Sequence, residues 1–321
     1  MRYRKLGKHG PEISVVGFGA WAIGGGMWGG RRDEDARAAL ALAFERGVNF
    51  VDTALVYGDG HSEKLVGEFA REHKDKLHIA TKVPPKSYQW PAKPGSPLRD
   101  FFPAAWITEC AEKSLRNLGV ERIELLQLHV WADAWTDDDE WFGAVDKLRQ
   151  AGKIGLVGIS INSHDPQSAV RVVKSGRVDA LQVFFNIFDQ SPEDALFPAC
   201  VEHGVGVLAR VPFDEGSLTG KLRADTTFPA GDFRAQYFGG ALLGETVRRV
   251  EAMRPVIEGA AQTMARGALR FCLSHPAVTA VIPGMRSAAQ VDENTAAGDE
   301  GPLPPATLTA LRPHRWVRNP Y

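Results

Sequence analysis

Short runs of apolar, often β-branched residues alternate along the chain with longer stretches whose apolar positions repeat at helical spacing. Eight runs read as strands, at 15–20, 48–52, 77–83, 123–129, 154–160, 180–185, 206–211 and 279–284. Several end in Gly, Ser, Asp or His, the residues that stop a strand and begin a turn. Each run is followed by an Ala-, Leu-, Glu- or Arg-rich segment of helical period, at 33–46, 62–72, 104–118, 138–150, 165–175, 192–203, 245–273 and 287–297. Eight strand–helix units predict an α/β fold, a parallel (β/α)8 TIM barrel, as one domain over residues 1–321. An open doubly wound sheet would carry a G-x-G-x-x-G turn early. Here Gly17 and Gly19 are followed by Trp21 and Ala22. The opening residues RYRKLGKHGPEISV read as a β-hairpin with a His-Gly-Pro turn, placed to plug the barrel bottom.

Three connections are long: 22–32, 84–103 and 212–240. All leave the C-terminal ends of strands, the face where barrels of this kind carry their active sites. Long loops in a compact fold are usually functional.

Composition narrows the class. The chain has 321 residues, 44% of them apolar, and a formal net charge of −1. There is no basic run to hold a nucleic-acid backbone, and no stretch of about 18 apolar residues to span a membrane. Cys110, Cys200 and Cys272 are far apart and show no metal-ligand spacing, and no His pair has ligand spacing, so no metal is expected. The N-terminus lacks the apolar core of a signal peptide. These features lead to the expectation of a soluble cytoplasmic globular protein.

Four ionisable residues fall at neighbouring strand ends. Asp52 ends the second strand, Tyr57 sits in the loop after it, Lys82 is near the end of the third and His129 ends the fourth. Singly, each has an ordinary reading: a helix cap, a loop anchor, a solvated edge, a satisfied structural histidine. Barrel order instead gathers them around one mouth. There a buried ammonium needs a partner, which Asp52 supplies.

With those residues the chain resembles the aldo-keto reductase family. The blocks are DTA-x-x-Y-G from Asp52 to Gly58, TKV at 81–83, LLQLH at 125–129, GIS at 158–160, EGSLTGK at 215–221 and VIPGMRSAAQVDEN at 281–294. The resemblance implies NAD(P)H-dependent carbonyl reduction and an Asp/Tyr/Lys/His tetrad at Asp52, Tyr57, Lys82 and His129. The chemistry agrees. Hydride addition builds negative charge on the carbonyl oxygen, which needs a proton and an electrostatic partner. A phenol has a reference pKa of about 10, and a nearby ammonium lowers it. Tyr57 is then the acid, Lys82 its activator and Asp52 the group that keeps Lys82 charged, while His129 orients the substrate oxygen.

The resemblance also implies where an NADP cofactor lies. Ser160 and Gln182 are expected at the carboxamide of the nicotinamide, with Trp21 and Asp52 beside the ring. The family's Ser-Asn pair is interrupted here, as Ser160-Ile161-Asn162. Gln182 reads alternatively as a buried structural amide. Arg210 stands near the place where relatives stack an aromatic residue. It either stacks on the nicotinamide or pairs with Asp214 or Glu215. Pro212, Gly216, Ser217, Gly220 and Lys221 are expected around the pyrophosphate. Gly284, Arg286, Gln290 and Asn294 are expected at the adenosine end, after Ser287 as a helix N-cap. Arg286 favours NADPH over NADH; its alternative is a solvated surface charge. Trp28, Trp90 and Trp131 are expected to form an aromatic substrate wall, whereas Trp106 and Trp141 read as packing. The competing function is a non-enzymatic NADP(H)-binding regulatory subunit of the same fold, since fold alone does not separate the two.

Overall fold

The structure, a computed structural model, describes residues 1–25, 32–73 and 76–318. It opens with a hairpin of β1 (Tyr3–Lys5) and β2 (Glu12–Ser14). Tyr3 pairs with Ser14 and Lys5 with Glu12. Eight parallel strands follow: β3 (Phe18–Gly19), β4 (Phe50–Asp52), β5 (His78–Val83), β6 (Ile123–Leu128), β7 (Ile154–Ser160), β8 (Ala180–Phe184), β9 (Gly206–Arg210) and β10 (Val278–Val281). Each bonds to its successor in chain order. Parallel bridges from Val16 to Val281 and from Gly19 to Gly284 join the two ends of the sheet, so the sheet closes into a (β/α)8 barrel.

The helices lie outside this ring. They are α1 (Asp33–Glu45), α2 (His61–Glu72), α3 (Leu98–Phe101), α4 (Ala104–Leu118), α5 (Asp139–Gln150), α6 (Val170–Lys174), α7 (Leu196–His203), α8 (Arg234–Tyr237), α9 (Leu242–Ala261), α10 (Met264–Ser274), α11 (Ala288–Glu300) and α12 (Pro305–Leu311). Their apolar faces meet the outside of the sheet in the larger core, which includes Val51, Leu126, Val157 and Leu181. A second core fills the barrel itself. It takes Phe50, Ala80, Leu125, Leu156, Ala180, Leu208 and Ala280 from the strands, and Leu6 and Ile13 from the hairpin end. The hairpin therefore stoppers the barrel at its N-terminal end, as its position in the sequence predicts.

Some boundaries differ from the sequence expectation. The first strand, expected over 15–20, keeps a ladder only at Phe18–Gly19. The helix expected over 245–273 is two helices. Gln262 adopts a left-handed φ of 61°, and Thr263 then caps α10 by accepting from Arg266 N. Apolar period runs through that break because both helices pack on the same barrel. The seventh helix starts late, after a 3₁₀ turn at Ser191–Glu193 with Pro192 inside. The 212–240 connection is not irregular throughout, since it holds the 3₁₀ segment Asp214–Thr219 and α8.

Candidate active site

Strand alternation explains which side chains meet at the C-terminal mouth. Successive residues of a strand point to opposite faces. Phe50, Ala80, Leu125, Leu156, Ala180 and Leu208 fill the barrel. The residues two places on, Asp52, Lys82, Gln127, Gln182 and Arg210, share their inward direction one layer higher, and Ser160 follows Leu156 at the same parity. Strands β4, β5, β6, β8 and β9 thus change from apolar to polar at one height, and that change marks the floor of the site. Thr81 points outward instead and donates to Glu63 on α2 at 2.6 Å.

Lys82 is the centre of this floor. Its side chain is 0% exposed. Its Nζ donates to Asp52 Oδ2 at 2.6 Å, to Thr53 O at 2.7 Å and to Tyr57 OH at 3.4 Å. Asp52 Oδ1 accepts from Gln182 Nε2 at 2.8 Å and Gln127 Nε2 at 3.2 Å. Both carboxylate oxygens are therefore engaged, and the ammonium has three acceptors around it. Burial opposes the charge on Lys82, but Asp52 and then Tyr57 outweigh it and hold the ammonium above its usual pKa.

Tyr57 reaches Lys82 because the loop after β4 turns tightly against the loop after β3. Gly58 has φ 65°, and a Cβ there would stand 2.1 Å from Gly24 O. Only glycine permits both the conformation and the approach. The Tyr57 ring lies 5.9 Å from the His129 ring at 72°. Burial pushes the phenol above its ordinary pKa. Lys82 pulls it down without cancelling that effect, so in this structure Tyr57 is a protonated donor through the neutral range. Lys82 thus acts in the expected direction, and burial opposes it. His129 is held well below the usual imidazole range, by burial first and then by Lys82 and Arg210, so it is neutral.

The neutral His129 makes stability depend on pH. A folded pKa below the unfolded value of about 6.5 means the unfolded chain binds the proton first. The contribution is whole above that value and is lost as the pH falls below it, by up to about 1.36 kcal/mol per pH unit for one group. Burial depresses His275 and His314 in the same direction. Urea midpoints should therefore fall between pH 7.5 and 5.5, and His129→Gln should flatten part of that fall. Parallel profiles for the two proteins would mean that His129 is charged in the native state.

Above this floor lies a cavity of about 1500 Å³. Ligand pockets commonly measure about 300–1,000 Å³, so there is room for a dinucleotide and a small substrate. Trp21, Ser160, Gln182, Arg210, Pro212, Gly216, Lys221, Gly284, Arg286, Gln290 and Asn294 all line it. Ser160 Oγ and Gln182 Oε1 are 3.5 Å apart. Arg210 Nη2 donates to Ile161 O at 3.2 Å and Ser163 Oγ at 3.0 Å, with its guanidinium 5.4 Å from the Phe184 ring. Gln290 Oε1 accepts from Arg286 N at 2.7 Å, and its amide nitrogen remains available as a donor. Ser287 caps α11 through Gln290 N, as its sequence position predicts.

Other expected residues are placed elsewhere. Trp131 is 0% exposed and does not line the cavity. Its ring packs edge-on to Trp135 and Trp141, and its Nε1 donates to Ser168 O. Ser217 and Gly220 stand behind the lining. Ser217 Oγ donates to Asp214, and Gly220 O accepts from Arg254. Asp214 ion-pairs with Arg318. Trp28 lies outside the described residues. Trp90 does line the cavity; its ring is edge-on to His129 and its Nε1 donates to His129 O at 3.3 Å.

Several lining residues were not foreseen. Trp106, read as packing, lines the cavity and donates to Pro84 O at 2.8 Å. Phe233 and Arg234 enter from the 212–240 connection. Phe233 meets Trp21 at 5.2 Å between ring centroids. Arg234 forks onto buried Asp232 at 2.6–3.2 Å. The sequence signal available was that connection's length and its aromatic residues. Asn162 also lines the cavity, with its Nδ2 donating to Trp131 O at 2.9 Å and Ala92 O at 3.3 Å. Cys110 lines it too, but burial pushes its thiol up to about 12, so it is no nucleophile at neutral pH.

Comparison with known proteins agrees with this fold. The model of the Aldo/keto reductase family matches residues 15–315. A Bacillus subtilis protein described as the uncharacterized oxidoreductase YqkF is 31% identical, over 98% of this chain and 96% of its own. The structure of the glycerol dehydrogenase AKR11B4 from Gluconobacter oxydans superposes with a TM-score of 0.79 at 31% identity, covering 97% of this chain and 94% of that one. The holo form of the aldo-keto reductase AKR11C1 from Bacillus halodurans gives 0.78 at 26% identity, covering 99% and 97%.

Proposed function

The chain belongs to the aldo-keto reductase family, and on that premise we propose that it reduces the carbonyl of an aldehyde or ketone with NADPH, or oxidises a sugar or alcohol in reverse, with Tyr57 as the general acid. Membership makes it an oxidoreductase of nicotinamide-dependent carbonyl chemistry on small molecules. No described helix is long and apolar enough to cross a membrane. The three cysteines are free and buried, which fits a reducing cytoplasm. Among the described residues no cluster could hold a metal ion.

One observation carries the proposal: a single buried ammonium touches both the Asp52 carboxylate and the Tyr57 hydroxyl at the floor of the cavity. When bound, the nicotinamide supplies the hydride. The chain supplies the rest. Neutral His129 offers one N–H to the substrate oxygen, and Tyr57 donates the proton that oxygen needs. Lys82 steadies the phenolate left behind, and Asp52 holds Lys82 in place. Ser160 and Gln182 would hold the nicotinamide carboxamide with a hydroxyl and an amide. Gly216 has φ 101°, and a side chain there would meet only Arg234 Nη1, at 4.0 Å, which suits close backbone approach to a pyrophosphate. A relative that acts on glycerol is consistent with a small hydroxylated substrate.

The preference for NADPH rests on Arg286. Burial and then the nearby Arg234 push the Arg286 guanidinium below its ordinary range, and Asp232 offsets only part of this. Arg286 lines this half-buried site, and its guanidinium would favour an anion such as a 2′-phosphate. Charge-assisted hydrogen bonds contribute about 1.5–3 kcal/mol. Arg286→Ala should therefore weaken NADPH by roughly 10–100-fold and leave NADH little changed. Fluorescence titration of both cofactors checks this. Equal losses would place Arg286 at the adenine or in the fold, and a wild type without preference would move the assignment to NAD.

The direct test is loss of NADPH absorbance against a panel of aldehydes and ketones. Turnover with members of the panel is expected. NADPH bound tightly but never consumed would turn the reading toward a regulatory cofactor sensor, and no binding at all would end it.

A further inference from the structure

The turn that carries Gly216 and Lys221 toward the cavity is held in an unusual backbone. Val211, Asp214 and Glu215 have φ of 54°, 47° and 55°, and Gly216 has 101°. Non-glycine residues persist in the left-handed region only where their surroundings over-determine them. Here the restraint converges on Asp214, which is 2% exposed. Its Oδ1 accepts from Tyr237 OH at 2.8 Å, and its Oδ2 accepts from Ser217 Oγ at 2.6 Å and from Arg318 Nη2 at 2.6 Å. Burial and then Asp214 push the Tyr237 phenol up, so it stays a donor. Two of these partners belong to the same connection. The third arrives from the far end of the chain.

Arg318 is itself enclosed, with 10% of its side chain exposed. Its guanidinium lies 4.5 Å from the Trp316 ring, 5.3 Å from Tyr237 and 5.5 Å from Phe188. The segment leading to it is fastened down. Arg312 pairs with Glu193, and Arg315 forks onto Asp194 at 2.5 and 2.8 Å. Trp316 N donates to Phe188 O at 2.8 Å, and Arg249 lies 4.3 Å from the Trp316 ring. The tail is thus zipped to the side of the barrel and delivers one cation into an aromatic cage. Among the described residues Arg318 is the ion-pair partner of Asp214. A buried carboxylate that loses its counter-ion takes up a proton or water or moves, and each of these loosens the turn on which Glu215 and Gly216 face the cavity.

We propose that Arg318 is a positioning residue for the cofactor. Its ion pair with Asp214 locks the strained 211–216 turn in the form that embraces a bound dinucleotide, and opening that pair sets the rate of dinucleotide release. This rests on the reading of the cavity as a dinucleotide site. Arg318 does not line the cavity, so it acts through Asp214 and not by touching the ligand.

The test is stopped-flow release of NADPH, followed by fluorescence, from wild type, Arg318→Met, Arg318→Lys and the double variant Asp214→Asn with Arg318→Met. Arg318→Met should speed release by roughly 5–150-fold, the ordinary range of coupling between two sites. Arg318→Lys keeps the charge without the planar fork and should fall between. The double variant removes the stranded charge and should release more slowly than Arg318→Met. Hydrogen exchange in the cofactor-free proteins should rise at 213–221 in Arg318→Met while β5 and β6 keep their protection. If Arg318→Met does not fold, Tyr237→Phe keeps the ring and removes one hydrogen bond to Asp214, and should give a smaller change in the same direction. Unchanged release in these variants, or exchange that rises everywhere with release unaltered, overturns the proposal and leaves the cavity reading standing. A wild type that binds neither NADPH nor NADH overturns both.

Discussion

Tyr57→Phe is expected to lower carbonyl reduction by roughly 10²–10⁴-fold, the usual worth of a positioned general acid, while cofactor binding stays nearly intact. The ring keeps its place between His129 and Trp21, so only the hydroxyl is lost. The acid that remains is water, or neutral His129, whose depressed pKa reflects an imidazole that is costly to charge in this site. Steady-state reduction with a turned-over aldehyde, paired with NADPH titration, measures both halves. Turnover near the wild-type rate would remove Tyr57 from the chemistry. Loss of NADPH affinity as large as the loss of rate would make it a packing residue.

Lys82→Met carries the second large effect, and it strikes activity and stability together. Methionine matches the length of the aliphatic stem but leaves Asp52 without its cation in a site where that carboxylate is 3% exposed. Breaking one side of a buried pair costs about 3–5 kcal/mol, a large share of a typical domain's stability. Thr53 O loses a donor as well. In catalysis, the pull that Lys82 exerts on the phenol disappears. A loss comparable to that of Tyr57→Phe is expected. The two consequences separate in the double variant Asp52→Asn with Lys82→Met, in which no charge is stranded. Its urea midpoint should recover much of the way to wild type while reduction stays low. If reduction returns with stability, Lys82 serves the fold and not the proton.

The floor of the site was legible because strand alternation and barrel order are simple rules. Asp52, Lys82, Gln182 and Arg210 share an inward parity with lumen residues two places before them, and consecutive strands are neighbours. The cap of α11 at Ser287 was legible for a similar local reason. What was hidden depends on direction or distance. Trp131 lies two residues beyond His129, close enough to the mouth to suggest a wall, yet position along a loop does not say which way an indole turns, and this one turns into the core between Trp135 and Trp141. Gln262 adopts a left-handed φ with no glycine to announce it. The net upward shift of the Tyr57 pKa depends on how deeply the loop encloses the phenol, which no motif records. The partnership of Asp214 with Arg318 joins residues 104 apart, and neither carries a local pattern that points to the other.

The barrel's closure has a consequence for what a bound ligand does to the fold. Strands β6 and β7 share an unbroken ladder from Leu125 to Leu128. The first and last strands are joined by the bridges at Val16 and Gly19 and by backbone bonds such as Gly17 N to Val281 O and Gly19 N to Pro283 O. These contacts connect almost the two ends of the chain, so their loop-closure entropy is repaid last in folding. The seam is a narrow junction of the ring, held by two bridges, and it joins residues far apart in the chain. Gly19 and Gly284 also line the cavity, so a ligand lying there touches both lips of the seam. By mass action, free ligand at a hundred times its Kd adds about 2.7 kcal/mol to the folded state, and a ligand spanning Gly19 and Gly284 braces this narrow joint. A cofactor bound there would be a rivet as well as a reagent, fastening β3 to β10.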